Sequence, residues 1–388
     1  MKKKIVILGA TGSIGKTLIN ILKINKNDFE ILLLTANKNL NDLLKQVNLF
    51  NVKNIIITNY EEYILAKEKL KNKKINIYNN FNELDKIFKN KKIDYAMSAI
   101  SGIEGLNPTL KIIKFTKEIA IANKEAIICG WPLINYSLKK YQTKFIPIDS
   151  EHFSIWSLLE GSKDKDIEKV FITASGGPFN KYPIKKFKTI TVKKALMHPN
   201  WKMGKKITID SATMINKVFE IIEAKKIFNF NYDKLEILVH PKSYVHAIVK
   251  FTNGLTKILI HETSMKIPIF NSLYPDFKKK INSKKLDFLI INNLDFQNVD
   301  KKRFPIVDIL KKMPSNDSLF ETVLVSANDS LVNLFLNKRI NFLDIEKNIK
   351  KIVNRVEFQK YKKIKPKNVT QIRKLHEYVS SIIKPLGV

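Results

Sequence analysis

The chain of 388 residues has one cysteine, Cys129, so it cannot form an intrachain disulfide, and a disulfide framework is excluded. Cysteine usage this low is expected of a reducing compartment, and the expected location is the cytoplasm. With 12 glycines and 13 prolines there is no collagen-like repeat. No apolar run approaches the length of a membrane span. The basic start, Met1 to Lys4, passes directly into an apolar run at Ile5–Leu8, which is expected to leave no room for a cleavable signal. Negative charge is also scarce: 36 acidic residues against 69 basic ones give a net charge of +33. Such a surplus first suggests a polyanionic partner. The chain lacks what nucleic-acid recognition uses, namely zinc-finger spacing, an RNP-like segment, a basic region with heptads, or aromatics alternating with basic residues. Short lysine runs recur from Lys2 to Lys365 among Asn and Ile, a compositional bias rather than one basic arm. The expectation is neither a nucleic-acid nor a membrane partner.

What is present is enough apolar side chain, 44% of residues, to bury a large core, and the length suggests two to three domains at about 150 residues each. Residues 1–150 alternate short β-branched runs with segments of helical period. Ile5–Leu8, Ile31–Leu34, Ile55–Thr58, Ile75–Tyr78, Tyr95–Met97, Ile119–Ala122 and Phe145–Ile148 read as strands. Continuously apolar strands separated by amphipathic helices predict an α/β architecture with an N-terminal Rossmann-like parallel sheet. Residues 151–275 have longer mixed segments, including a helical pattern from about Ser211 to Phe228, and read as a central α+β domain. A lysine-rich linker over 276–300, including Lys278 to Lys285, leads to residues 301–388. There, apolar residues recurring every three or four positions predict a helical bundle.

The first apolar strand runs into Gly9-Ala10-Thr11-Gly12-Ser13-Ile14-Gly15 and then a helical pattern. A strand, a glycine turn and a helix N-terminus present backbone N–H groups to a pyrophosphate. The spacing resembles a dinucleotide fingerprint, while Ala10 through Lys16-Thr17 resembles a relaxed P-loop. A P-loop NTPase needs a later strand ending in Asp to hold magnesium, but Asp94-Tyr95-Ala96-Met97 begins with its Asp, which favours the dinucleotide. No acidic residue stands in Thr35-Ala36-Asn37-Lys38-Asn39 to accept from a ribose hydroxyl. Lys38, flanked by two amides, suits the 2′-phosphate of NADP; the alternative is one more surface lysine.

Asp149 and Glu151 follow the strand at Phe145–Ile148 and in extended chain point the same way. Paired carboxylates without an adjacent cysteine suit a hard cation such as magnesium or manganese, although a solvated turn reads the same. On a helix beginning near Ser211, that residue would be an N-cap or an anion-binding hydroxyl, and Asn216, Lys217 and Glu220 would share a face. This arrangement could serve a phosphate and a metal, or be a capped surface ion pair. Ser175 lies in a Gly176-Gly177-Pro178 turn. His198-Pro199-Asn200-Trp201-Lys202-Met203-Gly204 is rich in helix breakers, and its Trp201 reads either as part of a lid or as a core anchor. His240 and His246 lack metal-ligand spacing and read as structural.

Together with Ala122-Asn123-Lys124-Glu125, Asp149-Ser150-Glu151-His152, the unbroken run His198 to Thr213, His240-Pro241 and Met265-Lys266-Ile267-Pro268-Ile269, these motifs occur in the order seen in 1-deoxy-D-xylulose 5-phosphate reductoisomerases. The chain resembles that family over nearly its whole length, more loosely at Ala327-Asn328 and Ile340 to Ile345.

The resemblance implies that Asp149, Glu151 and Glu220 ligate one divalent cation, Mg2+ or Mn2+, with Glu220 also facing the substrate and Ser150 beside it. Ser175, Ser211, Asn216 and Lys217 would hold the substrate phosphate with His198, and Trp201 and Met203 would sit on a lid. Lys124, Glu125, Glu151 and His198 would form the catalytic set, with Glu125 and Glu151 as candidate proton carriers.

The implied cofactor is NADPH. It would lie along Gly9, Thr11, Gly12, Ser13, Ile14 and Gly15, with Ala36, Asn37, Lys38 and Asn39 toward the 2′-phosphate. Asn123, Glu125, Met203, Gly204 and Met265 would contact the remainder. The implied reaction converts 1-deoxy-D-xylulose 5-phosphate to 2-C-methyl-D-erythritol 4-phosphate in isoprenoid precursor synthesis, and the implied assembly is a homodimer. This chain departs from the family pattern at Asn37, at Val218-Phe219 and at Thr263-Ser264, none of them a proposed metal ligand.

Overall fold

Lys3–Leu8 forms β1, whose last four residues are completely buried. A strand apolar on both faces belongs inside a parallel sheet covered by helices. The computed structural model, which describes residues 2–89, 91–163, 166–201, 203–276 and 279–387, places it there. Lys202 and Lys278, which fall in stretches singled out above, lie outside the described residues.

The chain divides into two compact units. The first comprises Met1–Ala126, Leu133–Asp149 and Met265–Ile281. Its strands are β1, β2 (Phe29–Ala36), β3 (Asn54–Ile57), β4 (Asn76–Tyr78), β5 (Ile93–Ser98), β6 (Thr116–Ile121) and β7 (Lys144–Pro147), in the spatial order β4-β3-β2-β1-β5-β6-β7. Every pairing is parallel, and each strand covers the run read from sequence within a few residues. Helices α1 (Ser13–Ile24), α2 (Leu40–Phe50), α3 (Tyr60–Lys69), α4 (Leu84–Phe88), α5 (Leu106–Ile113) and α6 (Lys124–Tyr141) fill the crossovers. The strand order reverses between β2-β1 and β1-β5. The loop after β1 therefore opens at the switch point, where doubly wound sheets bind ligands. Late in the chain, α11 (Lys266–Leu273) returns to this unit. Its Ile269 and Leu273 join the core, and the Tyr95 hydroxyl lies 2.7 Å from Ser272 Oγ.

The second unit comprises Ile127–Pro132, Ser150–Ser264 and Asn282–Val388. Its sheet is mixed, in the order β11-β10-β8-β9-β12, with β8 (Ile167–Ala174), β9 (Leu235–Val239), β10 (Val245–Phe251), β11 (Thr256–Ile260) and β12 (Gln297–Asn298). Among its described residues only β8 and β9 pair in parallel. The helices are α7 (Ser150–Leu158), α8 (Val192–Ala195), α9 (Lys205–Thr213), α10 (Ile215–Phe228) and α12 (Phe288–Ile291), followed by α13 (Phe320–Leu336), α14 (Phe342–Asn354), α15 (Val356–Gln359) and α16 (Val369–Ile383). The expected helical tail is present. Val323, Leu331 and Phe335 of α13 are buried, as are Ile345, Ile349 and Ile352 of α14, and α14 starts with an Asn341–Asp344 capping box. Residues 150–264 and 282–388 lie together in this unit, while 265–281 belong to the first. Among the described residues no helix is long and apolar enough to cross a membrane.

Two local expectations are corrected. The helical pattern from Ser211 to Phe228 is two helices, α9 and α10, broken at Met214, which adopts left-handed backbone with φ 68°. One left-handed residue ends the first helix without disturbing the three-to-four apolar spacing, so periodicity reads across it. Ser211 consequently lies in the last turn of α9 and is not an N-cap. Glu151 likewise lies in the first turn of α7 rather than in extended chain, because the helix begins at Ser150.

α10 is tied to α13 by a buried ion cluster: Lys226 Nζ lies 2.7 Å from Asp317 and 2.8 Å from Glu321. Burial disfavours the Lys226 ammonium, but the two carboxylates outweigh it and raise its pKa. Removing one partner from a buried cluster leaves an uncompensated charge. Lys226→Met is therefore expected to lower unfolding stability by about 3–5 kcal/mol in denaturant titration; a loss below about 1 kcal/mol would contradict this role.

Candidate active site

In the first unit the glycine loop is built for close approach. Gly9 is left-handed at φ 82°, and a Cβ there would stand 2.7 Å from the Ala99 carbonyl oxygen. A Cβ on Gly15 would stand 2.4 Å from the Gly9 carbonyl oxygen. These glycines let the turn fold tightly under the first turn of α1. Gly12 precedes α1 with no side-chain cap, and Gly12 and Ser13 are exposed. The orphan N–H groups of the helix therefore face outward at the switch point, the backbone form of an anion site. Thr35 Oγ1 accepts from the Gly9 N–H at 2.9 Å and secures the loop. Lys16, the residue a P-loop would put on phosphate, pairs with Asp42 at 2.5 Å.

Ala36 is buried, while Asn37, Lys38 and Asn39 are exposed at the end of β2, with Asn37 donating to Thr58 Oγ1 and Asn39 capping α2. Asn123 caps α6 and donates to the Ile100 and Gly102 carbonyls, which positions Lys124 and Glu125 in the first helical turn. Both are buried, and Lys124 Nζ lies 2.7 Å from Asp149. Met265 packs against the core of this unit. Thr11 in the loop and Ile14 in the first turn of α1 are half-buried.

The second unit brings together residues far apart in sequence. His198 Nε2 lies 3.1 Å from both Ser175 Oγ and Ser211 Oγ. Its Nδ1 accepts from the backbone N–H groups of Asn200 and Trp201 at 3.2 and 2.9 Å. With Nδ1 acting as acceptor, the proton of the neutral ring belongs on Nε2, facing the two hydroxyls. Gly177 donates its N–H to Ser175 Oγ, and its φ of 61° brings it against Ser211: a Cβ would stand 2.9 Å from the Ser211 carbonyl oxygen. Two hydroxyls and an imidazole N–H thus form a neutral cradle of hydrogen-bond donors. Burial, then the nearby Lys217 charge, pushes His198 down to about 4.

The carboxylates lie at the starts of α7 and α10. Lys217 Nζ contacts Glu151 and lies 2.6 Å from Glu220 Oε2; Asn216 donates to the other Glu220 oxygen. The Ser150 hydroxyl donates to Glu151 Oε2 at 2.7 Å. Burial disfavours the Lys217 ammonium, but attraction to Glu151 and Glu220, with their hydrogen bonds, outweighs it and raises its pKa. The Lys217–Glu220 pair, which sequence left open between a phosphate and metal site and a surface ion pair, is buried and shared with Glu151. His152 and Glu223, not singled out from sequence, back the cluster: His152 Nε2 lies 2.9 Å from the Glu220 carbonyl oxygen, and Nδ1 lies 3.6 Å from Glu223.

Trp201 is half-buried, with its indole edge-on to His246 at 6.0 Å. Met203 and the exposed Gly204 lead into α9. His246 stacks on His261 at 3.8 Å, and the His240 ring lies within hydrogen-bond distance, 2.9 Å, of the Asp295 carbonyl oxygen. Asp210 and Asn328, which sequence reasoning placed within motifs but gave no role, hydrogen-bond at 2.8 Å. The available signal was an Asn inside the apolar period of α13.

A parallel sheet with a glycine turn and an uncapped helix N-terminus at its switch point defines the doubly wound class of nucleotide-binding proteins. Family models described as 1-deoxy-D-xylulose 5-phosphate reductoisomerase, its C-terminal domain and DXP reductoisomerase C-terminal domain match residues 5–130, 145–228 and 260–381. The chain is 60% identical to the 1-deoxy-D-xylulose 5-phosphate reductoisomerase of Pelagibacter ubique over 100% of both chains. It is 41% identical to that of Wolbachia pipientis over 88% of each. Among solved structures, the Zymomonas mobilis reductoisomerase in complex with NADPH is similar at TM-score 0.88 and 31% identity, covering 100% of this chain and 99% of that one. A reductoisomerase in complex with NADPH, fosmidomycin and magnesium is similar at TM-score 0.90 and 28% identity, covering 99% and 98%. The protein belongs to the 1-deoxy-D-xylulose 5-phosphate reductoisomerase family.

The cradle geometry predicts that His198 stays neutral, with its proton on Nε2, down to about pH 5, as read by nitrogen-15 NMR of the imidazole. The unfolded chain takes up a proton near 6.5 and the folded one near 4. Stability from this group should therefore be complete above pH 6.5 and fall between pH 6.5 and 4. A ring already charged at pH 6 would contradict the assignment of Nδ1 as an acceptor.

Proposed function

We propose that this chain converts 1-deoxy-D-xylulose 5-phosphate to 2-C-methyl-D-erythritol 4-phosphate, with hydride from NADPH and one bound divalent cation, in isoprenoid precursor synthesis. The observation that carries this reading is the sequence Ser211–Met214–Lys217–Glu220. It links a hydrogen-bond cradle suited to phosphate directly to a buried carboxylate cluster suited to a hard cation.

The phosphate would accept from Ser175, Ser211 and the His198 Nε2–H, with Asn216 and Lys217 on the next helix. Anchoring this remote group supplies binding energy that orients the reacting carbons. Glu151 and Glu220 fit a divalent ion because they already share one cationic group and carry one more negative charge than it neutralises. Asp149, two residues before Glu151 in the chain, supplies the third carboxylate. When bound, such an ion polarises the substrate carbonyl and acidifies the adjacent hydroxyl, which permits the skeletal rearrangement. With a cation held by the two carboxylates, Lys217 would be available to the phosphate. Lys124 holds Asp149, and Ser150 orients Glu151. Glu125 and Glu151 are the carboxylates available to carry protons.

For NADPH, the α1 N-terminus with Gly9, Thr11, Gly12, Ser13, Ile14 and Gly15 receives the pyrophosphate, and Lys38 with Ala36, Asn37 and Asn39 the 2′-phosphate. Asn123, Glu125, Met203, Gly204 and Met265 serve the nicotinamide side. Trp201 and Met203 act as a lid. Residues 1–150, 151–275 and 301–388 act as cofactor-binding, catalytic and supporting segments. The chain works in the cytoplasm as a homodimer; sedimentation should give twice the chain mass, and a monomer at micromolar concentration would exclude the dimer.

Purified protein should oxidise NADPH only with both the sugar phosphate and magnesium or manganese present. Glu220→Gln should lower turnover by more than about 100-fold and weaken metal binding while NADPH affinity stays unchanged; unchanged turnover overturns the metal assignment. Lys217→Ala should raise KM for the phosphorylated substrate by about 10- to 100-fold, the worth of a charge-assisted hydrogen bond. An unchanged KM would remove Lys217 from the cradle.

A further inference from the structure

Ser211 sits near the end of α9, a nine-residue helix whose rotation rests on its buried face rather than on capping at its ends. Gly204 at its start offers no side-chain cap, and Met214 at its end departs into left-handed backbone. Yet the position of the Ser211 hydroxyl is set by that rotation. The neighbouring residue, Asp210, points into the protein and is 2% exposed. Its Oδ1 accepts from the Asn328 side-chain amide at 2.8 Å and its Oδ2 from Lys206 Nζ at 2.9 Å. Lys206 Nζ also lies 3.0 Å from Asp329, the residue after Asn328.

Asn328 has no exposed surface and stands in the middle of α13, flanked by the completely buried Ala327 and Leu331. The apolar core fixes α13, so the amide is a stationary donor. A buried carboxylate that can turn only by losing its donors resists rotation of the helix that carries it. On the other side, Gly177 abuts the Ser211 backbone with no room for even a Cβ.

We propose that Asn328, acting through Asp210, is the positioning residue that fixes the rotation of α9 and thereby places the Ser211 hydroxyl in the phosphate cradle. This rests on the reading of Ser211 as a phosphate ligand. A displacement of about 1 Å in a positioning group costs up to about 100-fold in rate, so the polar peg belongs to substrate recognition as well as to folding.

The test measures the inhibition constant of inorganic phosphate and the KM and kcat for 1-deoxy-D-xylulose 5-phosphate, with NADPH affinity as the control. Asn328→Ser, which shortens the reach of the donor, and Asn328→Leu, which removes it, should each raise the phosphate inhibition constant and the KM about 10-fold or more. NADPH affinity should stay within about 2-fold. The double exchange Asp210→Asn with Asn328→Asp restores a donor–acceptor pair in reverse and should return KM to within about 3-fold of the starting protein, whereas Asn328→Asp alone should not. A cooperatively folded Asn328→Ser protein with unchanged phosphate inhibition and KM overturns the proposal, as does a double exchange no better than Asn328→Asp alone. Ser211→Ala separates the two levels: if it too leaves phosphate inhibition unchanged, the phosphate reading of Ser211 fails. If it raises the constant while Asn328→Ser does not, the cradle stands and only the positioning role falls.

Discussion

The buried contact of one ammonium with two carboxylates, Lys217 with Glu151 and Glu220, is the interaction on which the second unit depends. Each of these charges alone would be costly to remove from water, and the cost is offset only because opposite charges and hydrogen bonds meet there. The contact sets the first turn of α7 against the start of α10, and the neighbouring hydrogen bonds from Asn216, Ser150 and His152 follow from that placement. With two negative charges against one positive, the cluster is neutralised only in part. The same imbalance that constrains the fold makes the site receptive to a cation of higher charge.

Support for this cluster and for the cradle comes from the helical tail. α13 contributes two buried polar attachments, Glu321 to Lys226 at the far end of α10 and Asn328 to Asp210 on α9. Between them lies Met214, where left-handed backbone separates the two helices and turns Ser211 and Lys217 onto different axes. Strain of this kind persists only where surrounding packing over-determines it, and the Met214 side chain is almost completely buried. The C-terminal helices are thus tied to α9 and α10 by buried polar contacts as well as by apolar packing.

The net charge of +33 is mostly unrelated to these contacts. Lys16, exposed beside the glycine loop, is occupied by Asp42, and many other lysines stand on the surface. Their collective effect is a positive field that favours approach of anionic substrate and cofactor, weakened by salt. Specific work falls to a few basic groups whose surroundings are buried.

Much of the architecture was legible in the chain itself. The parallel sheet was legible because its strands are apolar on both faces, and the glycine turn because spacing alone announces a strand–loop–helix anion site. The helical tail was legible from its apolar period. The resemblance to a family supplied the roles of individual residues, which composition and spacing left open between site and surface. Tertiary structure decided the rest. It broke one helical pattern at Met214, buried the Lys217–Glu220 pair by bringing in Glu151, set His198 between two serines, and joined Asp210 to Asn328. Periodicity records which side of an element faces the core, but it is blind to a single left-handed residue and to which distant polar group will meet a buried one. Those outcomes depend on long-range packing, where the penalty for an unpaired buried charge selects the partner.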